Sequence, residues 1–325
     1  MGLLRGGGAW QLVLGTVLLM TVGGLVWRLL ATSAAWSELG HSHLSYACLL
    51  LGGSGGLLCV VISAFQWYAL LLAQGMRIDL AELIRLYLIG IAFGHWLPLG
   101  IGGDAIKALY CGRILGSYAL AVGTLALARL LGLLALGLSL GGTLCVWGQL
   151  LPAPLGAVAA AVSLLITLVP VGLLGGARLA ARQAKGGRQA EADYCPLRFR
   201  LGTRLRAALL IIAVRPGAFL PALGLSFSFW VVAALNYYGY GLALGIHLPL
   251  PCYFVTMSLA ALAATLPLSL FNGLGLREGA LVCILALYHV PVDKALLLAG
   301  CVGAQSLGLA LSGWLVYLLR RKEEK

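Results

Sequence analysis

Charged residues are scarce in this chain, and acidic residues are the scarcest of them. Asp and Glu together number 10, against 22 Lys and Arg, and only 10% of the residues are charged, whereas 61% are hydrophobic. So little charge could not cover the surface of a water-soluble fold. The few acids and the 5 histidines show no metal-ligand spacing, so we expect no bound metal and no cofactor.

Other missing patterns exclude further classes of function. No Cys-x-x-Cys spacing occurs, and most of the 8 cysteines lie singly inside apolar stretches, which is typical of small residues in a membrane core. No GxxxxGK[ST] phosphate-binding loop occurs, so the sequence gives no sign of nucleotide hydrolysis. The basic residues are not interleaved with aromatic ones, and the net charge of +12 therefore does not indicate nucleic-acid binding.

Long apolar runs dominate the sequence instead. A helix needs roughly 20 apolar residues to cross a hydrocarbon layer about 30 Å thick. We predict an all-α, polytopic integral membrane protein, a single domain over residues 1–325 with about eight transmembrane helices. The predicted spans are 10–31, 44–74, 118–147, 154–176, 217–245, 252–270, 276–291 and 294–319.

The stretch 83–103 differs from these spans. It has charges at both ends and is interrupted by Pro98, Gly100, Gly102 and Gly103. Irregular backbone at membrane depth is tolerated where it is buried in protein or lines a cavity. We therefore predict a re-entrant or broken helix here, which enters the membrane and turns back.

A second interrupted segment is similar to the first. The letters LPLGIGGDAIK begin at Leu97, and LPLSLFNGLGLREGA begins at Leu266. Paired interrupted segments in the two halves of a chain indicate an internal repeat whose broken helices form a binding site near the membrane midplane. A helix that restarts after glycines also directs free backbone N–H groups at an anion, such as a phosphate headgroup.

Arg129 is a charged residue near the middle of a predicted span, since the stretch from Ala119 to Leu140 is otherwise uncharged. Burying an arginine there costs about 3 kcal/mol on insertion scales unless a carboxylate or a water-filled cavity receives it. The candidates to receive it are Asp104, Glu278 and a lipid phosphate. A purely structural ion pair is the alternative.

The broken segments and the mid-span arginine define a candidate substrate-binding site. The alternative is that these residues cap helix ends and pair with one another. Most of the aromatic residues occupy positions typical of the belts at the membrane surface. The candidate site residues are Gly102, Gly103, Asp104, Lys107, Arg129, Asn272, Gly273, Gly275, Arg277 and Glu278, and the belt residues include Trp67, Tyr68, Trp96, Trp147, Tyr237, Tyr238 and Tyr240.

At these motifs the sequence resembles the flippase-like family named after the transmembrane region of the lysylphosphatidylglycerol synthases, the multiple peptide resistance factors. The resemblance rests on GIGGDAIKAL from Gly100, on Ala128-Arg129-Leu130 and on NGLGLREGALV from Asn272. It covers nearly the whole chain.

The resemblance implies a polytopic fold with re-entrant helices around a lipid-facing cavity, with Asp104, Lys107, Arg129, Arg277 and Glu278 as cavity residues. In the synthases this region moves aminoacylated phospholipid between leaflets. The family often has an acid immediately before the mid-span arginine and this chain does not, which leaves the substrate open. We expect no soluble aminoacyltransferase domain, and hence no lysyl transfer.

The function that follows is lipid translocation, meaning flippase-like transport of an anionic, aminoacylated, glycosylated, polyprenyl or hopanoid lipid between leaflets. The alternatives are a membrane-embedded lipid-modifying transferase, with Asp104 or Glu278 as its base, and a non-catalytic membrane subunit of a lipid or cell-envelope pathway. We expect a transporter and not an enzyme. The expected partner is a membrane phospholipid or another amphipathic lipid, and a homo-oligomer or a partner envelope-biosynthesis enzyme stays open.

Basic residues lie mostly on one side of the predicted map, which the positive-inside rule assigns to the cytoplasm. The loop 178–206 and the C-terminal Arg320 and Arg321 belong to that side, and Lys294 is an exception close to the other side. We therefore expect a multi-pass protein of the bacterial inner (cytoplasmic) membrane with both termini cytoplasmic. The connections without Lys or Arg are those near 38–43, 149–154, 245–251 and 289–292.

A cysteine introduced into the loop 178–206 of a variant whose 8 native cysteines are replaced by serine tests this orientation. We expect it to stay unlabelled when intact cells meet a membrane-impermeant thiol reagent, and to react once the cells are opened, because the loop faces the cytoplasm. A cysteine in the connection 245–251 is the control and should react from outside. Labelling of the 178–206 site in intact cells would refute the topology.

Overall fold

The computed structural model describes residues 43–95, 102–186, 216–265 and 275–323. These ranges form nine α-helices and one short 3₁₀-helix, Gly148–Leu150, with no strands among them. The predicted span 10–31 and most of the loop 178–206 lie outside the described residues. The helices are α1 His43–Ala73, α2 Leu80–Gly94, α3 Gly102–Leu115, α4 Tyr118–Trp147, α5 Ala153–Gly186, α6 Pro216–Ala243, α7 Leu250–Ala264, α8 Leu276–Leu287 and α9 Val292–Glu323.

Five of these helices contain stretches long and apolar enough to cross a membrane, and they match five of the predicted spans. The all-α, polytopic prediction is therefore confirmed. Most large side chains on these helices that lie outside the protein interior are apolar, as a lipid-facing surface requires. The stretches are Gly53–Ala73, Tyr118–Leu150, Ala153–Gly176, Phe219–Ala243 and Val292–Arg320.

Helices α7 and α8 are shorter than the spans predicted at 252–270 and 276–291. They have 15 and 12 residues, which rise about 22 and 18 Å, less than the hydrocarbon thickness. They pack against each other, and Tyr288 at the end of α8 lies beside Cys252 at the start of α7. The pair is thus an antiparallel hairpin, and the count of about eight spans is not confirmed.

Helices α2 and α3 form a matching hairpin in the first half. Gly90 and Gly103 bring the two backbones together, because a Cβ on either residue would collide with the other helix. The side chain of Lys107 packs over Gly90. Small residues at such crossings let membrane helices approach closely.

The first hairpin ends about halfway along α9. Near one end of α9, Arg320 Nη1 lies 2.7 Å from the carboxylate of Glu82 in the first turn of α2. Just past the other end of α2, His95 Nε2 lies 2.9 Å from Ser306 Oγ, and its Nδ1 faces the Ile91 carbonyl at 3.0 Å. Because α9 is antiparallel to α2 and long enough to span, the hairpin enters from the Arg320 end and stops at mid-depth, as a re-entrant segment does.

The two halves of the chain repeat the same structure. Met76 N–H donates to the Leu71 carbonyl at 3.1 Å, and Ile246 N–H donates to the Gly241 carbonyl at 2.9 Å. The preceding residue in each turn is a glycine with positive φ, and each turn leads to a 15-residue helix, α2 or α7. The paired positions are 170 residues apart, which is also the separation of Cys59 and Phe229.

The repeat is inverted. Helices α1 and α6 pack closely along their length, with Gly53 near Tyr240 and Gln66 bonded to Ser226, so they run antiparallel. Cys59 Sγ lies 3.9 Å from the carbonyl oxygen of its own counterpart, Phe229, which places a pseudo-two-fold axis there, perpendicular to the helices. The two hairpins therefore enter from opposite sides.

Gly313 on α9 tests the packing of the first hairpin on that helix. A Cβ at this position would collide with the Leu88 carbonyl of α2, so Gly313→Ala should lower the free energy of unfolding by about 1–3 kcal/mol. Gly308→Ala on the same helix is the control, because a Cβ there meets nothing within 4 Å, and alanine is the better helix former. Equal unfolding midpoints in detergent would contradict the close contact.

Candidate functional site

The carboxylate of Asp104 is the centre of the candidate site. Asp104 is the third residue of α3 and shares a helix face with Lys107, three residues later. Its Oδ1 accepts from Lys107 Nζ at 2.6 Å, and its Oδ2 accepts from Arg129 Nε at 2.8 Å. One carboxylate therefore joins the first hairpin to the middle of α4, and Arg129 contacts one of the two acids proposed for it from the sequence.

Lys107 is a buried cation held by three partners. Its side chain is only 9% exposed. Besides Asp104, it lies over the backbone of Gly90, and its Nζ is 4.2 Å from the centre of the Tyr87 ring. The ring face attracts the ammonium group, and the carboxylate offsets the cost of removing that group from water.

Arg129 is more accessible than its neighbours, with 61% of its side chain exposed. Only its Nε is engaged, by Asp104. Within the described part of the chain, no ion pair or hydrogen bond reaches its two terminal nitrogens, Nη1 and Nη2. A guanidinium with both terminal groups free can donate side by side to two oxygens of a phosphate or a carboxylate.

The second half carries an adjacent arginine and glutamate at the start of α8. Arg277 donates to Glu278 Oε1 from Nε at 3.0 Å and from Nη2 at 2.6 Å. Glu278 Oε2 accepts the backbone N–H of Gly275 at 2.7 Å, which caps the helix. Gly275 has a φ of 91°, a left-handed conformation that favours glycine.

A cavity of ≈ 570 Å³ connects the two halves. Its charged wall residues are Asp104, Lys107, Arg129 and Arg277, three cations and one acid. Beyond the charged wall it is lined mainly by apolar side chains and small residues. The described flanks of both predicted breaks, including Gly94 and Thr265, also line it, so the ends of α2 and α7 approach each other from opposite sides.

The two halves of the site differ in the origin of the arginine. Counted from the first residues of α3 and α8, Asp104 corresponds to Glu278 and Arg129 corresponds to Gly303. Gly303 lies beside the carboxylate of Glu278, as Arg129 lies beside that of Asp104. Glycine carries no charge there. In the second half the arginine that pairs with the acid is instead Arg277, which lies on the hairpin helix α8 itself.

The predicted site residues fall into three groups. Gly103, Asp104, Lys107, Arg129 and Arg277 line the cavity. Gly102, Gly275 and Glu278 belong to the helix starts beside it, and Asn272 and Gly273 lie outside the described residues. Substrate binding by these residues stays a prediction.

Uncharged polar side chains on the same wall were not predicted from the sequence. Gln66 Nε2 donates to Ser226 Oγ at 2.7 Å and to the Ala128 carbonyl at 3.2 Å, and Asn236 Nδ2 donates to Gln305 Oε1 at 2.9 Å. Gln66 and Asn236 are equivalent in the repeat, and each precedes two aromatic residues. Aligning the halves at the 170-residue separation would have identified them.

Three aromatic residues assigned to the surface belts are buried instead. Trp67 is 0% exposed, and its Nε1 donates to Thr124 Oγ1 at 3.0 Å. Tyr237 lines the cavity, and Tyr240 is buried in the core of the second half. The belt interpretation of these three was wrong, because they pack between helices and do not face lipid.

Asp104→Asn tests the charged cluster. The substitution keeps the shape but removes the negative charge, so Lys107 and Arg129 would face each other without neutralisation. We expect the free energy of unfolding to fall by about 3–5 kcal/mol. Asp104→Asn combined with Lys107→Met should recover much of the loss, because it also removes the buried cation. Unfolding in detergent measures both, and a double variant no more stable than the single one would contradict the assignment.

Comparison with known proteins gives one family match. The family model described as lysylphosphatidylglycerol synthase TM region matches residues 10–313, which include both hairpins and every residue of the charged cavity wall. No curated protein matches the chain.

Proposed function

The chain belongs to the lysylphosphatidylglycerol synthase transmembrane-region family, and from this we propose that it translocates lipid between the two leaflets of a membrane. Family membership and the five spanning helices make it a multi-pass membrane protein with a lipid-related role. The proposal adds the activity. An anionic headgroup crosses through the cavity while the acyl chains stay in the bilayer.

The observation that carries the proposal is the charge of the cavity at mid-depth. Lys107 and Arg129 share one carboxylate, Asp104, so the cluster keeps one net positive charge. The terminal nitrogens of Arg129 are free within the described residues. A lipid phosphate that carries one negative charge matches both the charge and the paired donors. The apolar side chains of the wall suit the part of the lipid next to the headgroup.

The arrangement of the two acids supports transport over catalysis. A carboxylate that is paired with cations or backbone N–H groups is a weaker base than a free one, because these partners favour its charged form. Both oxygens of Asp104 accept from cations, and both oxygens of Glu278 accept from Arg277 or from the N–H of Gly275. We therefore propose that these acids fix the cations in place, and that the chain acts as a transporter and not as a transferase.

The inverted repeat also supports the proposal. Hairpins that enter from opposite sides and meet at mid-depth are the arrangement by which secondary transporters expose one site to each side in turn. We further propose that the chain lies in the bacterial inner membrane with both termini in the cytoplasm, because its basic residues lie on the side where the first hairpin enters.

Two substitutions of Arg129 test the proposal. Arg129→Lys keeps the charge but loses the planar pair of donors, so translocation should fall about tenfold, which corresponds to ~1.4 kcal/mol, while stability changes little. Arg129→Ala should lower translocation further. The measurement is the rate at which acyl-chain-labelled phosphatidylglycerol in proteoliposomes becomes accessible to an impermeant quencher, alongside the unfolding midpoint.

Arg85 provides the matched control. Its side chain is 58% exposed, and its Nη1 lies 3.7 Å from the carboxylate of Glu82. Arg85 does not line the central cavity, so Arg85→Lys and Arg85→Ala should leave translocation unchanged. Normal translocation by Arg129→Lys, or a loss of stability in both Arg129 variants that accounts for their loss of transport, would show that Arg129 is structural and would defeat the proposal.

A further inference from the structure

A second, smaller cavity lies at the far end of the molecule from Arg320. It has a volume of ≈ 160 Å³ and is formed by the turn between α6 and α7 and the turn between α8 and α9. These turns are the base of the second hairpin, which the distribution of basic residues predicts to be at the outer face. The cavity does not share a residue with the central one. Its lining is Gly245, Ile246, His247, Leu248, His289, Val290, Pro291 and Lys294.

The polar side chains of this small cavity are all basic. His247, His289 and Lys294 line it, and no acidic residue is among its lining residues. Lys294 makes only a long contact with the Gly245 carbonyl, 3.5 Å from its Nζ, and has no acidic partner in the described ranges. It is also the lysine that departs from the charge pattern of the outer connections. Orientation in the membrane therefore does not explain its position.

His289 is held in an unusual backbone conformation. Its φ is 57°, and it is the one non-glycine residue with positive φ in the described part of the chain. The corresponding turn of the first half, between α3 and α4, uses Gly116 with φ 67°. A side chain in this conformation costs energy that glycine would avoid. In this conformation His289 is one of the residues that line the cavity.

We propose that His247, His289 and Lys294 bind a phosphate group. The lysine supplies a charge without an acidic partner, and the two imidazoles supply further nitrogen donors on the same wall. The cavity is large enough for one phosphate group and too small for a whole phospholipid headgroup with its chains. The group could be that of a lipid in the adjoining leaflet or a free phosphate ion, since both present the same oxygens.

If the phosphate belongs to a lipid, the small cavity is a second binding site on the transport route, at its outer end. That version rests on the proposed function, because it needs a lipid that crosses the membrane. Phosphate binding itself does not depend on transport. The two ideas can therefore fail separately.

The test measures anion binding by the full-length protein in neutral detergent. Thermal stabilisation and native mass spectrometry are recorded with inorganic phosphate and with short-chain phosphatidylglycerol, against chloride at the same ionic strength. Lys294→Gln should weaken binding about tenfold for whichever of the two probes binds the original protein more tightly, as expected for the loss of one charge-assisted hydrogen bond. Lys322→Gln, which removes the same charge from the other end of α9, is the control and should change the binding of neither phosphate nor phosphatidylglycerol.

His289→Gly is the second variant, chosen because it cannot fail through backbone strain. Glycine suits the φ of this position, so the protein should be at least as stable as the original, yet bind the anion several-fold more weakly. If phosphatidylglycerol binds more tightly than inorganic phosphate, and Lys294→Gln weakens that binding, the phosphate group belongs to a lipid. If the two probes bind with equal affinity, the ligand is free phosphate. Unchanged binding in both variants, or no stabilisation of the original protein beyond chloride, overturns the site.

Discussion

A charge in the middle of a membrane needs an opposite charge at short range, and Asp104 serves two cations at once. The need explains several features that would otherwise be unrelated. The first hairpin has to reach mid-depth to bring Asp104 to Arg129. Its helices have to touch at Gly90 and Gly103, because Lys107 is then packed between them and the Tyr87 ring. Polar chemistry at this depth is thus tied to the close packing of two short helices.

The inverted repeat solves a geometric problem that one hairpin could not. A helix of 15 residues rises about 22 Å, too little to cross but enough to reach the centre. Two such helices from opposite sides bring their ends to one level. Helix α9 carries both ends, with His95 held at Ser306 and Glu278 beside Gly303, one turn away. The central cavity lies at this meeting point.

Hydropathy predicted the long spans, and the charges predicted residues that line the central cavity, because both are properties of the residues themselves. Mid-span Arg129 and the acids after the glycines were recognised in this way. The length of α7 was not, since a helix that crosses and one that turns back are equally apolar. The burial of Trp67 was not predicted either, because a surface facing lipid and a surface facing another helix have similar composition. Only the contacts between helices in the structure distinguish these two kinds of surface.

The two arginines lie on helices of different kinds, and this breaks the symmetry of the repeat. Arg129 belongs to α4, which is long enough to span the membrane, whereas Arg277 belongs to the hairpin helix α8. If the hairpins shift against the long helices, Arg277 travels with its hairpin and Arg129 stays with the frame. The two arginines are not equivalents in the repeat, so one such movement would act on them differently. Of the two arginines on the cavity wall, one is therefore anchored on a helix long enough to span the membrane and the other on a helix that stops at mid-depth.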